Sequence, residues 1–496
     1  MNDGHGATAS RRNGANGHGL SARRRRSDAE QNFSRIIEAA VELLEHQPAP
    51  SIEQIATAAG LARATVYRHF SSRNQLLETA SRQALDAAAI TAHEGTPAAQ
   101  QLTDDPDDVG VIELLNRVPP HLIGDQIVAE TRRLPGVSSV ALYLVDIDGS
   151  RLLRFAGSQE FPTELDAPLA VGPEIPRDGI ANLRRVVAEE LPGSVAAPLY
   201  LRGRATGLLI AVGATQATLD ILAREAAMAL NLAESYTDVL ALSRRRKPIS
   251  AAGEIQQNLL PPRVVQISGA AIAGNVLPSY DVGGDWFDYA ENSDGSWLAV
   301  ADATGKGSQA ASLGALALGA FRAARRSGAN LEEAANAIHE TITAVNERGA
   351  LVTAVIGRWH GPTATFSWIN CGHPPPALIT TDGELRALDA PNAGALGAPR
   401  DEPRWNASKV RLNAGERLIL YCDGITDRLT QDGTPFGLTG IKNAVAHARS
   451  TSAAATVKAI EAAVTDASTK ALEDDATLMV LVPTETTTPT QHPRAQ

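Results

Sequence analysis

Residues 298–307 read LAVADATGKG: an apolar run that ends on a carboxylate, Asp302, and breaks at once into glycines. The pattern recurs at 417–427, RLILYCDGITD, where Asp423 follows the run. It is mirrored at 473–482, EDDATLMVLV, where Asp474 and Asp475 precede one. A further carboxylate, Asp285, stands in VGGDWFDY at 282–289. Short apolar runs bounded by turn residues read as buried strands, which places these carboxylates at strand ends. Sheets that bring such ends together would gather them into one hard-oxygen site, suited to Mg2+ or Mn2+. A single Asp-Gly pair is ordinarily a turn, and Asp382–Gly383 and Asp432–Gly433 read that way. The sequence offers no Ser-His-Asp spacing and no His-rich zinc pattern, and DATGKG lacks the GxxxxGK[ST] spacing of a phosphate loop.

Outward from this core, residues 250–483 alternate strands and helices. Before them, 108–243 mixes VSSVALYLV (137–145), SVAAPLYL (194–201) and GLLIAV (207–212) as strands with helices at 121–134 and 218–242. Leu219, Leu222, Ala226, Leu230, Ala233, Val239 and Leu240 form an apolar stripe on the last helix. That stripe packs on its own domain or pairs with a second copy. Arg244–Lys247 then meet Pro248, which marks a hinge. Residues 28–95 are helical: Phe33, Ile36, Ile37, Ala40, Val41 and Leu44 recur at helical spacing. Ser51 with Gln54 forms a capping box, Gly60 supplies a turn, and a third helix spans 63–70. Helix, glycine turn and helix is the helix-turn-helix layout.

The chain has 496 residues, 44% of them hydrophobic and 20% charged, which is globular composition with room for roughly three domains. Two cysteines exclude a disulfide framework and point to a reducing compartment. The net charge of -11 argues against a nucleic-acid coat but leaves room for one basic module. Residues 1–27, with Arg11, Arg12 and Arg23–Arg26, read as a disordered basic arm, and 484–496 as a disordered tail. No apolar run reaches the length of a membrane span, the nearest being Ala310–Ala320 ahead of Arg322, Arg325 and Arg326. A cytoplasmic protein is expected.

The segment IEQIATAAGLARATVYRHFSSRNQLL (52–77) resembles the TetR-type DNA-binding domain. The resemblance implies that Arg63, Thr65, Tyr67 and His69 face duplex DNA, with Arg73 near a phosphate. A helical docking module that keeps the core without the DNA contact is the alternative. LPGVSSVALYLVD with APLYLRGRATGLLIAV resembles a GAF domain, which implies either a small-molecule sensor or a ligand-free dimerisation module. The last segment is similar to the SpoIIE/RsbU-like branch of metal-dependent, PPM-type serine/threonine protein phosphatases. The blocks that carry the likeness are AAGEIQQNLLPP (251–262), VGGDWFDY, DATGKG, INCGHPPPALI (369–379), LGAP (396–399), LILYCDGITD and DDATLMVLV.

These likenesses imply a multidomain chain: an all-α helix-turn-helix, an α/β GAF-like sensor, and an α+β phosphatase built as an α-β-β-α sandwich. Asp285, Asp302, Asp423 and Asp474, with the carbonyl of Ala303, would hold two Mn2+ or Mg2+ ions, Asp302 bridging them. Gly305 and Gly307 would let the backbone pass close to that site. His373 and Pro374–Pro376 would shape a loop, the alternative being His373 as proton donor to the leaving serine. Cys422 and the pair Asp427–Arg428 depart from the family pattern without removing a ligand. The implied substrate is a phosphorylated regulatory protein of the anti-sigma-factor antagonist type. A helix-turn-helix reads paired half-sites, so a homodimer follows. The rival reading is a TetR-like transcriptional regulator whose phosphatase-like domain is regulatory and non-catalytic.

Overall fold

The structure, a computed structural model, describes residues 32–43, 50–70, 117–167, 169–280, 283–345, 349–399, 405–472 and 474–484, with two isolated positions besides. The predicted arm at 1–27, the boundary near 95–108, Arg73 and residues 485–496 lie outside them. The chain divides into two units, Met1–Asp108 and Val109–Gln496.

In the first unit a helix over 32–43 (α1) meets α2 (Ile52–Ala58) and α3 (Arg63–His69). The Ser51 hydroxyl accepts from the Gln54 amide at 3.2 Å while the Gln54 side chain accepts from the Ser51 amide at 2.7 Å, so the capping box is complete. Gly60, at φ +64°, ends α2 in a left-handed turn. There the Leu61 amide reaches Ala56 O at 2.9 Å and the Gly60 amide reaches Thr57 O at 3.1 Å, a Schellman closure. Ile36, Ile37, Ala40, Ile52, Ile55, Val66 and Phe70 form the core. Phe33 stacks on Phe70 with ring centroids 5.3 Å apart and so fixes α3 against α1.

The second unit begins with a sheet of β1 (Ser139–Val145), β2 (Arg151–Gly157), β3 (Glu164–Asp166), β4 (Ile175–Pro176), β5 (Ser194–Leu201) and β6 (Arg204–Val212). Its order is β3-β2-β1-β6-β4, with β5 also on β6, and every pairing is antiparallel. The alternation in β1 divides its side chains between two cores. Val140, Leu142 and Leu144 face α4 (Ile123–Arg132) and α6 (Gln216–Ala233), whereas Ala141, Tyr143 and Val145 face the side of α5 (Ile180–Glu190).

The helix expected over 218–242 is two helices, α6 and α7 (Val239–Ser243). Ser235, Tyr236 and Thr237 are weak helix formers, and the Thr237 hydroxyl accepts from the Val239 amide to start the second. Leu219, Leu222, Ala226, Leu230 and Ala233 are buried in their own domain. The expected hinge is stitched down as well: Arg244 donates to Val145 O and Thr206 O, and Arg246 pairs with Asp146 and Asp148.

After α8 (Ala251–Leu259) two sheets lie face to face. One has the order β15-β12-β11-β10-β9 and the other β14-β13-β16-β17-β8-β7. Their ranges are β7 (Val264–Ile267), β8 (Ala270–Leu277), β9 (Trp286–Asn292), β10 (Gly295–Ala303), β11 (Val352–His360), β12 (Thr365–Cys371), β13 (Ala377–Ile379), β14 (Leu385–Ala387), β15 (Ser408–Arg411), β16 (Arg417–Tyr421) and β17 (Ala476–Pro483). Period two again sorts the side chains. Leu418 and Leu420 point into the shared core, and Ile419 and Tyr421 point out toward α12 (Gly437–Ala446) and α13 (Ala453–Asp466). On the other flank Ala317, Leu318 and Phe321 of α9 (Gly307–Arg326) and Ala335 and Ile338 of α10 (Leu331–Val345) cover the five-stranded sheet. The buried carboxylate of Asp288 fastens α9 to β9 through Arg322 and Arg325, each at 2.8 Å. The Ala310–Ala320 run is thus a core helix, and among the described residues no helix is long and apolar enough to cross a membrane.

The loop after β12 folds around His373. The Asn370 side chain accepts from the His373 amide at 2.9 Å and donates to its carbonyl at 2.8 Å. The ring Nδ1 lies 2.8 Å from the Thr353 hydroxyl, and burial pushes the imidazole from 6.5 down to about 3. The folded chain therefore keeps this ring neutral where the unfolded chain would charge it. Below pH 6.5 the unfolded state binds the extra proton, so stability falls with pH from there toward about 3, by about 1.4 kcal/mol for each unit of pH. Chemical denaturation between pH 7 and 4 should show His373→Gln losing less stability on acidification than the wild type; parallel profiles would contradict the buried neutral ring.

Candidate metal centre

Strand register assembles the carboxylates. Asp285 immediately precedes β9, whose Trp286 pairs with Ala301 of β10, so Asp285 sits beside Asp302 near the end of β10. On the facing sheet β16 runs antiparallel to β17, Tyr421 opposite Leu478. That register sets Asp423, the first residue of α11 (Asp423–Thr426), next to Asp474 and Asp475 ahead of β17. The Cys422 amide donates to Thr477 O at 3.0 Å and closes this corner. Gly424 must be glycine there, since a Cβ would fall 1.9 Å from the carbonyl of Asp475.

The four predicted ligands lie at graded depth. Asp285 is 3% exposed, Asp302 is half-buried, and Asp423 and Asp474 face solvent. Asp302 stands in the middle, within hydrogen-bonding reach of Asp285 on one side and Asp423 on the other, and it feels the charge of Asp474. Burial pushes Asp302 up to about 6; the hydrogen bond with Asp285 pulls the other way, and Asp423 and Asp474 add to the rise. Asp285 is driven well above the usual carboxylate range by burial and then by Asp302 and Asp475. Asp423 is raised by burial and then by Asp474. Among the described residues no three acidic, His or Cys side chains close on a single point as a finished cage. The arrangement is instead a chain of neighbours with Asp302 at its centre. Such an open, all-oxygen set suits small hard dications, which bind through one or two carboxylates and keep several waters.

The sequence reading assigned no role to the residues that support this chain. Asp475 is 4% exposed, and its carboxylate accepts from the Gly283 amide at 2.8 and 2.9 Å and from Gln256 at 3.2 Å. Gln256 of α8 also donates to Asp285 O at 2.9 Å. The Thr477 hydroxyl donates to Asp285 Oδ2 at 2.6 Å, and Cys422 Sγ accepts from the Thr477 amide at 3.0 Å. Burial keeps Cys422 a thiol, its pKa well above the ordinary value. The signal for Asp475 was its place in a DD pair: alternation at the start of β17 puts one carboxylate inside and one outside. Gln256 and Thr477 carried no such signal.

Gly305, in the loop between Asp302 and α9, and Gly307, the first residue of α9, both adopt positive φ, +112° and +64°. That loop is pinned where Thr304 exchanges two hydrogen bonds with Leu351, each 2.9 Å. Beside the carboxylates opens a cavity of about 670 Å3 walled by Asp423 and Asp474 and by the cations Lys306, Arg428 and Lys470. Arg428 donates to the carbonyls of Ala471, Ser468 and Lys470 and shapes the rim. His373, 3% exposed and held neutral, belongs to its loop rather than to this cavity.

In the first unit the predicted DNA-facing residues share α3 but not one exposure. Arg63 and Tyr67 are exposed, with the guanidinium 5.6 Å from the ring centroid, whereas Thr65 and His69 are half-buried.

Comparison with known proteins places both regions. The family model described as Stage II sporulation protein E (SpoIIE) matches residues 292–483, and that of bacterial regulatory proteins, tetR family, matches 36–80. The chain is similar to phosphoserine phosphatase RsbU of Bacillus subtilis (strain 168), 22% identical over 189 residues, covering 38% of this chain and 56% of that protein. It thus spans about half the length of that curated relative. Among solved structures it is similar to the RsbU and RsbW domains of a Mycobacterium tuberculosis protein, 26% identical with a TM-score of 0.38, over 44% of this chain and 62% of that one. It is also similar to the SiaA-PP2C domain of Pseudomonas aeruginosa, 21% identical with a TM-score of 0.40, over 47% and 94%. Asp302, Asp423 and Asp474 fall inside the first matched region and Asp285 just ahead of it, so the carboxylate centre belongs to a SpoIIE-type phosphatase domain, carried on the same chain as an N-terminal TetR-family domain.

Proposed function

We propose that residues 250–483 hydrolyse phosphoserine or phosphothreonine on a regulatory protein, of the anti-sigma-factor antagonist type, with two Mn2+ or Mg2+ ions. The observation that supports this reading is Asp302 standing between Asp285 and Asp423, carboxylates brought from two facing sheets. Asp285, Asp302, Asp423, Asp474 and the carbonyl of Ala303 would hold the ions, with Asp302 at the centre of the set. The chemistry such a pair supplies is activation of water and neutralisation of phosphoryl charge, with no protein nucleophile. Asp475, Gln256 and Thr477 orient the ligands. Lys306 and Lys470 draw the phosphorylated residue into the cavity against the acidic wall.

Residues 108–243 act as a GAF-like sensory module in this reading, and the chain works as a cytoplasmic homodimer. Support for the dimer comes from the solvent side of α6, where Ile221, Met228 and Leu232 are 52%, 41% and 53% exposed at helical spacing. The TetR-like helices bring the protein to duplex DNA, with Arg63, Tyr67 and Arg73 serving phosphates and register, and Thr65 and His69 supporting them.

A phosphopeptide assay on the full chain tests the enzyme. Turnover should require Mn2+ or Mg2+, vanish in excess chelator, and fall by about two or more orders of magnitude in Asp302→Asn, which keeps the volume but removes a charge from the ligand set. Asp382→Asn, in a surface turn, should leave it near the wild-type rate. Full turnover in chelator or in Asp302→Asn would contradict the two-metal reading and favour a non-catalytic regulatory domain. Fluorescence anisotropy on genomic fragments tests the other end. Binding should weaken steeply as salt rises, since each phosphate contact releases counterions, and Arg63→Ala should weaken it further. No binding to any fragment at low salt would remove the DNA-binding role.

A further inference from the structure

The alanines of α13 leave a groove open near the carboxylate centre. Ala459, Ala462 and Ala463 recur at helical spacing on the side of α13 that lines it, and side chains this small do not fill the space between α13 and α12. Across from them α12 and its end present Thr439, Asn443 and His447, about one turn apart and all exposed. The groove has a volume of about 870 Å3. One of its walls is the segment that also borders the cavity beside Asp423 and Asp474: Thr430 and Gln431 line both spaces.

That shared wall holds its shape although most of it is exposed. The Thr430 amide donates to Thr434 O at 2.8 Å, the Gly433 amide to Thr430 O at 3.0 Å and the Phe436 amide to Arg428 O at 2.8 Å. Leu429, on the same wall, is 55% exposed and belongs to neither core of the sandwich. Charge differs on its two sides. The cavity carries Lys306, Arg428 and Lys470, whereas no lysine or arginine lines the groove, which carries Asp432 and Asp466. Both of these carboxylates are exposed. The hydroxyls of Thr430 and Thr434 hold Asp432 below the usual carboxylate range, so it stays charged.

We propose that this groove docks the polypeptide that flanks the phosphorylated residue of the substrate protein, and that the docked flank is basic. The inference rests on the reading of residues 250–483 as a phosphatase of phosphorylated proteins. With the phosphate drawn into the cavity by its cations, the chain that bears it passes over Leu429 and Thr430 into the groove. An apolar side chain of that segment packs on Leu429, its backbone lies over the alanines, and an arginine or lysine reaches Asp432 or Asp466. An acidic flank meets two like charges there and is disfavoured.

The test uses the full chain and two sets of short phosphoserine peptides. One set has arginines and the other glutamates beside the phosphoserine, placed on its N-terminal or its C-terminal side. Fluorescence anisotropy in excess chelator reads binding without turnover, and kcat/KM in Mn2+ reads the reaction. Arginine peptides should bind about fivefold more tightly than their glutamate counterparts, since exposed ion pairs are individually weak and two are available. Asp432→Lys combined with Asp466→Lys should abolish or reverse that preference. Ala462→Trp, which fills the groove and alters no charge, should weaken the arginine peptides most. Asp382→Lys combined with Glu340→Lys makes the same change in net charge outside the groove and should keep the preference, which separates docking from the overall charge of the chain. Equal binding of the two sets, or a preference that survives the double reversal at Asp432 and Asp466, would overturn the proposal even if the peptides are turned over. A preference that responds to these variants, without any turnover in Mn2+ or Mg2+, would keep the groove and remove the phosphatase reading. A light-scattering mass that halves in Ala462→Trp would seat a second copy of this chain in the groove and overturn the assignment.

Discussion

Like charges brought together out of water repel, and the half of this protein that carries the carboxylate centre is organised around that repulsion. Asp285, Asp302, Asp423 and Asp474 come from four separate places in the chain, and two sheets must pack face to face to bring them to one edge. Burial and mutual proximity drive Asp285, Asp302 and Asp423 upward together. A fold that builds such a corner stores an unfavourable charge density that a dication relieves. The cores on either side of the sheets hold the corner in place against it.

The second constraint is orientation. Asp475 accepts two bonds from the Gly283 amide and one from Gln256, so it positions the segment that carries Asp285. Thr477 and Cys422 extend the same network into β17 and β16. Gln256 lies on α8, whose following residue Gln257 accepts from Arg263. One helix thus carries bonds both to the carboxylate centre and to Arg263.

Much of this was legible in the sequence because local rules coincide with the tertiary outcome. An apolar run capped by Asp and Gly marks a strand end wherever it occurs, so Asp302 and Asp423 could be read directly. The capping box at Ser51 and the left-handed turn at Gly60 are encoded within a few residues. What could not be read depends on partners far away in the chain. Which member of Asp474–Asp475 faces inward is set by the antiparallel register of β17 between β16 and β8. The roles of Gln256 and Thr477 exist only once α8 and β17 meet at Asp285. The helix expected over 218–242 was misjudged because its apolar stripe continues past Ala233, while Ser235, Tyr236 and Thr237 interrupt the backbone. The hinge expected at Arg244–Lys247 is pinned for a similar reason: its partners, Val145, Thr206, Asp146 and Asp148, lie about a hundred residues or fewer upstream, and nothing in the basic run announces them.

Crystals of the full chain grown with Mn2+ decide whether these carboxylates hold a pair of hard dications. Anomalous diffraction at the manganese edge should show two peaks, both touching Asp302, one shared with Asp285 and the other with Asp423 or Asp474. An ordered carboxylate centre with no anomalous peak at Asp302 in saturating Mn2+ would contradict it.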